Sequence, residues 1–199
     1  LEFEDINPLI YLTKVDLLED DSLVNEVKKV YEEIGYPVIV ATEDETSLKQ
    51  IEATFSQKLT VFMGQSGAGK STLLNRIVPD LALETGEISS ALGRGKHTTR
   101  HVELLPIAGG LVADTPGFGS IDFLTVEARE LPRLFPEFVK VASQCRFREC
   151  SHINEPNCAV KEAVTEGIIA QTRYENYTQF LNEVENRKPM YLMLKKCII

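Results

Sequence analysis

The stretch "GQSGAGKST", residues 64–72, constrains this chain more than any other, because it fills the pattern G-x-x-x-x-G-K-[ST] completely. It also stands where such a loop must stand. The β-rich run "LTVFM" (59–63) precedes it and "STLLNRIV", with the periodicity of a helix, follows. A strand that feeds a helix through glycines presents backbone N–H groups and a helix start to an anion. The residues expected to bind nucleotide phosphates are therefore Gly64, Gln65, Ser66, Gly67, Ala68, Gly69, Lys70, Ser71 and Thr72. Lys70 neutralises the outer phosphates, with a catalytic share, and the Ser71 hydroxyl coordinates Mg²⁺. With motif and context both satisfied, a loop that only turns the chain is the weaker reading.

A phosphate loop of this kind belongs to an α/β sheet, and the flanking sequence alternates accordingly. Residues 9–13 read as a short buried strand, and Leu23, Val24, Val27, Val30, Tyr31 and Ile34 then recur at helical spacing until Gly35 and Pro37. "PVIVAT" (37–42) is a second strand, and Leu48, Ile51 and Phe55 mark a second helix before the third strand at 59–63. Alternation of this sort implies a mostly parallel sheet flanked by helices. "HVELLPI" and "LVAD", joined at Gly109 and Gly110, read as a hairpin and supply the antiparallel piece. The pattern ends near Phe118. From about Leu131 prolines, a cysteine cluster and then helical spacing through Tyr174, Tyr177, Phe180, Leu181 and Val184 indicate a small helical domain.

Three further motifs complete a nucleotide site. "LVADTPGFG" ends a strand in Asp114, a metal-side carboxylate, with Gly117 placed to sense the γ-phosphate through its N–H. Phe118 follows, where the small GTPases have a water-orienting glutamine. Between this motif and the phosphate loop lies "ALGRGKHTTRH" (91–101), whose Thr98 and Thr99 are catalytic candidates and the expected Mg²⁺ ligands beside Ser71 and Asp114. His97 is a catalytic candidate for orienting the water, and persistence of turnover in His97→Ala would remove that role. Near the start, "IYLTKVDLLED" ends a strand in Thr13, Lys14, Val15 and Asp16. A fixed carboxylate accepts from both guanine N1–H and the N2 amino group, which adenine cannot satisfy. Asp16 is thus the base-selecting residue, the Lys14 stem lies along the base, and Thr13 stands where asparagine is usual. Ala41 and Thr42, after the second strand, are candidates for contacting the base carbonyl.

The usual chain order of these motifs begins at the phosphate loop, whereas here the base-selecting motif comes first. Cutting between motifs and joining the old ends reproduces the observed order and preserves the site, provided the old ends were adjacent. The expected fold class is therefore α/β, a circularly permuted P-loop GTPase domain over 1–135, followed by a small α-helical zinc-binding domain over 136–199. Zinc is read from Cys145, Cys150, His152 and Cys158, spaced C-x₄-C-x-H-x₅-C: three thiolates and an imidazole form a closed, structural set for one ion.

Taken together, "TKVD", "GQSGAGKST", "GRGKHTT", "DTPGFG" and "CRFRECSHINEPNC" resemble the RsgA family, also called YjeQ or YloQ, over nearly the whole chain. The resemblance implies GTP hydrolysis to GDP, stimulated by the small ribosomal subunit, and a role late in that subunit's maturation. It also implies an N-terminal OB-fold domain contacting ribosomal RNA, expected in the full-length protein and absent from this chain, which is read as a fragment. A formal charge of −9 is compatible with a local basic patch, and Arg94, Lys96, Arg100, Arg146 and Arg148 are the residues expected toward RNA, with Lys195 and Lys196 a weaker pair. No run approaches the roughly 18 apolar residues of a membrane span. A cytoplasmic monomer without membrane contact is expected. Two readings compete: an ATPase, against which Lys14 and Asp16 argue, and a zinc-stabilised rRNA-binding module whose nucleotide site is vestigial, against which Lys70, Ser71 and Asp114 argue.

Overall fold

The computed structural model describes residues 2–65, 67–79, 103–114 and 126–187. The chain forms two compact units, Leu9–Ile121 and, separately, Leu1–Pro8 with Asp122–Ile199.

The first unit alternates strand and helix. Strand β1 is Ile10–Leu12, helix α1 Ser22–Ile34, β2 Val38–Val40, α2 Thr46–Ala53, β3 Leu59–Val61 and α3 Lys70–Ile77. Strands β4, Glu103–Ile107, and β5, Gly110–Asp114, follow. Helix α1 turns Val24 and Ile34 inward, with Val27 and Tyr31 half-buried between them; Leu23 is 52% exposed, off the stripe expected for it. Gly35 ends the helix at φ 111°, and its N–H returns to the carbonyls of Tyr31 and Glu32.

Among the described residues, hydrogen bonding groups the strands into two ladders. β1 pairs parallel with β2 in the register Leu12↔Val40, and β3 pairs parallel with β5 in the register Val61↔Ala113. β4 runs antiparallel to β5, as the hairpin reading requires. Ala108 and Gly109, at φ 47° and 76°, form the two-residue turn, a geometry that matches the twist of the strands it joins. Gly110 lies against the end of α2: a Cβ there would sit 1.9 Å from the Phe55 carbonyl oxygen, so no larger residue fits without moving backbone. Leu48, Ile51, Phe55, Leu73, Leu74, Ile107 and Val112 fill the core, and Tyr11, Ile39 and Phe62 pack against it, so one apolar cluster joins both ladders.

The second unit is helical. A 3-10 turn at Leu131–Leu134 precedes α4 (Pro136–Ala142), α5 (Ala159–Thr165) and α6 (Gln171–Asn186). Leu131, Phe135, Phe138, Val160, Ile169, Tyr177 and Leu181 form its core together with Cys150 and Cys158. Leu131 and Phe135 are built into this core with Phe138 and Tyr177. Arg173 on α6 donates through Nε to Glu137 Oε1 on α4 at 2.7 Å, an almost fully buried ion pair, and its guanidinium lies over Phe135 at 4.8 Å. Removing one member of such a pair costs about 3–5 kcal/mol, since the other charge stays buried.

Candidate nucleotide site and metal centre

Parallel pairing decides which loops meet. Because Leu12 is opposite Val40, the chain leaves β1 and β2 at the same end, and the Ala41 N–H donates to the Leu12 carbonyl at 2.8 Å. Because Val61 is opposite Ala113, the phosphate loop and Asp114 likewise leave β3 and β5 at one end. A hydrogen bond between loops joins the two pairs. Thr13 Oγ1 donates to the Ala68 carbonyl at 2.8 Å, across 55 residues of sequence. Gly69, at φ 89°, caps α3 so close by that a Cβ on it would touch the Thr13 side chain at 3.6 Å. The motif that comes first in the chain is therefore packed on the phosphate loop.

Lys14 follows Thr13 at φ 57° and ψ 30°, the left-handed region, which a lysine rarely adopts. The turn redirects the chain into a 3-10 turn over Val15–Leu17 and leaves Lys14 and Asp16 exposed. Backbone strain of this kind costs about 1–3 kcal/mol and is concentrated at functional loops. In the phosphate loop, Lys70 Nζ donates to the carbonyls of Gly64 at 2.5 Å and Gln65 at 2.8 Å. Neutral carbonyls hold an ammonium less strongly than an anionic oxygen does, so a phosphate competes well for it. Ser71 is buried in the first turn of α3, where a hydroxyl fits a cation shared with phosphate.

The segment after β2 is held from two sides. Thr42 N–H donates to Ser47 Oγ at 3.1 Å, Ser47 N–H donates to Thr42 Oγ1 at 3.2 Å, and the Tyr11 hydroxyl lies 3.2 Å from the buried Ser47 Oγ. From α3, Arg76 donates through Nη1 to the Thr42 carbonyl and through Nη2 to those of Glu43 and Asp44, at 3.2–3.3 Å. Asp44 in turn caps the start of α2 by accepting from Thr46 N–H and Oγ1; hydrogen bonds from Thr42 and Thr46 hold its carboxyl below the usual carboxylate range. The amides of Ala41 and Thr42, expected to reach the base, both serve these internal bonds. Tyr11, Ser47 and Arg76 carry no motif and were not singled out by sequence; the one available signal was that Arg76 shares a helix with Lys70 and Ser71.

Ser66, His97, Thr98, Thr99, Gly117 and the basic residues Arg94, Lys96, Arg100, Lys195 and Lys196 lie outside the described residues. Asp114 is placed by its backbone at the end of β5.

In the helical unit, Cys145, Cys150, His152 and Cys158 bring their ligand atoms within 4.8 Å of one another. His152 Nδ1 lies 3.7 Å from Cys145 Sγ and 3.3 Å from Cys158 Sγ, and the two sulfurs are 4.0 Å apart. Tetrahedral zinc with Zn–S near 2.3 Å spaces its sulfurs by about 3.8 Å, so the donor set fits this ion. Burial pushes the Cys150 thiol up to about 12, raises that of Cys158 and lowers that of His152. Apolar walls thus favour neutral imidazole, the ligating form, while the thiols need a cation to ionise. The loop is braced around the donors: Tyr174 hydroxyl donates to the His152 carbonyl at 2.7 Å and Tyr177 hydroxyl to that of Ser151. Glu155 accepts from the N–H groups of Ser151 and Ile153; burial raises its carboxyl, but these bonds outweigh it and hold the group at about 2.

The phosphate loop, the base-selecting motif packed on it and the order in which the chain reaches them define a circularly permuted P-loop GTPase fold with a Cys₃His group. Among solved structures the chain is similar to "YloQ, a circularly permuted GTPase", with a TM-score of 0.75 and 43% identity over 96% of this chain and 61% of that one. It is also similar to YjeQ from Thermotoga maritima, with a TM-score of 0.78 and 34% identity over 94% of this chain and 63% of that one. The family profile described as RsgA GTPase matches residues 1–124, and the chain belongs to that family. Relatives named small ribosomal subunit biogenesis GTPase RsgA include one from Enterococcus faecalis (strain ATCC 700802 / V583), 63% identical over 193 residues, and one from Bacillus subtilis (strain 168), 50% identical over 195. Each alignment covers 96% of this chain and 65% of the relative, so the chain spans just under two thirds of their length.

Proposed function

We propose that this chain hydrolyses GTP to GDP and phosphate as a switch in late maturation of the small ribosomal subunit, and that the subunit stimulates it. The observation that carries this reading is the Thr13 to Ala68 hydrogen bond, which packs the T-K-V-D turn on the phosphate loop despite their separation in sequence. The relatives' names supply the ribosomal half.

In the proposed mechanism Asp16 accepts from guanine N1–H and the N2 amino group, and Lys14 lies along the base. The N–H groups of residues 64–72 wrap the phosphates, and Lys70 exchanges its loop carbonyls for phosphate oxygen. Ser71 and Asp114, with Thr98 or Thr99, hold Mg²⁺, which when bound neutralises charge on the β- and γ-phosphates. Gly117 senses the γ-phosphate, and His97 orients the water in the place of the glutamine that Phe118 displaces. Cys145, Cys150, His152 and Cys158 hold one structural zinc ion. Residues 1–135 are read as the GTPase domain and 136–199 as the zinc domain. We place the protein in the cytoplasm as a monomer contacting ribosomal RNA. Among the described residues no helix is long and apolar enough to cross a membrane.

The test is GTP turnover with and without small ribosomal subunits, beside Lys70→Ala. Stimulation by subunits that the variant loses is the expected result; equal turnover of ATP, or no response to subunits, overturns the reading.

A further inference from the structure

The core of the helical unit is aromatic and closed: Phe135, Phe138 and Tyr177 are all buried. Phe147 stands apart from them, 44% exposed. It forgoes the stabilisation that full burial of such a side chain returns. The residues beside it, Arg146 and Arg148, are exposed as well, and the Arg146 guanidinium lies 5.7 Å from the Phe147 ring centroid. Glu149 is the one acidic neighbour in the same loop. The Arg146 N–H bond to the Asn157 carbonyl at 3.4 Å ties this loop, and zinc on Cys145 and Cys150 would fix both its ends.

An aromatic face shown to solvent, flanked by cations and fixed at both ends of its loop, is the combination that binds single-stranded nucleic acid. The ring stacks any base, the guanidinium groups take the flanking phosphates, and preorganisation lowers the entropic cost. We propose that Phe147 is a base-stacking platform for single-stranded RNA, with Arg146 and Arg148 as its phosphate contacts. The choice of RNA over DNA rests on the ribosomal reading given above. An acidic peptide would use the arginines and leave the ring idle, which makes it the weaker fit.

The experiment is fluorescence anisotropy of the zinc-loaded chain with a labelled short oligouridylate and with an abasic strand of the same length. Phe147→Ala and Phe147→Leu should each weaken oligouridylate binding by about tenfold, and Phe147→Trp should keep it. The wild type should prefer the oligouridylate to the abasic strand, and Phe147→Ala should lose that preference. Arg146→Ala and Arg148→Ala should each lower the slope of log affinity against log salt by about 1. Zinc content and melting temperature equal to wild type in Phe147→Leu show that a loss comes from the ring and not from unfolding. Equal binding of abasic and uridylate strands overturns the proposal, as does unchanged binding by both Phe147→Ala and Phe147→Leu, or binding of polyglutamate without RNA binding. Failure of small subunits to stimulate GTP turnover in the wild type would remove the ribosomal reading and leave this stacking result standing.

Discussion

Thr13 replaces the asparagine usual at its position, and its single hydroxyl is spent on the Ala68 carbonyl. One short donor therefore ties the turn at Thr13 to the phosphate loop, and in the proposed mechanism base discrimination falls to Asp16. Xanthine carries a carbonyl where guanine carries the N2 amino group, so a carboxamide suits it and a carboxylate does not. Asp16→Asn should lower GDP affinity by about 10- to 100-fold, the worth of a charge-assisted hydrogen bond, and raise XDP affinity relative to wild type. Competition binding of the two nucleotides measures both. Thr13, Lys14 and Asp16 were legible in sequence as a motif; the left-handed backbone of Lys14 was not, because nothing local marks a lysine for positive φ.

Among the elements, α3 does more than carry Lys70 and Ser71. Its Arg76 reaches the carbonyls of Thr42, Glu43 and Asp44, so the helix behind the phosphate loop also shapes the segment after β2. Arg76→Ala should weaken GDP about 5- to 10-fold and leave pyrophosphate affinity unchanged, since exposed hydrogen bonds of this kind are worth about 1 kcal/mol. Arg76→Lys, a point charge without the planar fork, should recover part of the loss. Paired titrations with GDP and pyrophosphate read the difference. The hairpin makes a different demand, for space: Gly110→Ala would set a methyl 1.9 Å from a backbone carbonyl of Phe55. It should destabilise the protein by about 1–3 kcal/mol, seen as a lower denaturant midpoint with an unchanged slope. The hairpin itself was readable from paired β-runs around glycines, whereas the contact behind Gly110 depends on where α2 ends.

At the scale of the whole molecule the described residues contain two apolar clusters that share no side chain, one in each unit. Cys150 and Cys158 belong to the core of the helical unit, so with zinc bound as proposed, its removal would withdraw the charge that holds two of its buried groups. Chelation, or Cys158→Ser, should expose amides in 126–187 to hydrogen exchange while those in α2 and β5 stay protected. Mass-resolved exchange before and after chelation tests this, and uniform loss of protection in both units would contradict it. The parallel strands, the hairpin, the helices and the Cys₃His group were all legible in sequence, because each announces itself by local spacing or by residue types that soft metals and phosphates require. Sequence alone thus determined which motifs the chain carries: a phosphate loop, the T-K-V-D turn and a Cys₃His set. Tertiary structure alone decided how these parts meet. Parallel register put paired loops at common ends, Thr13 bridged to Ala68, Arg76 clamped the segment after β2, and Leu131 and Phe135 joined the helical core. Those choices depend on burial and on hydrogen bonds between residues far apart in the chain, and neither leaves a periodic trace in a linear sequence.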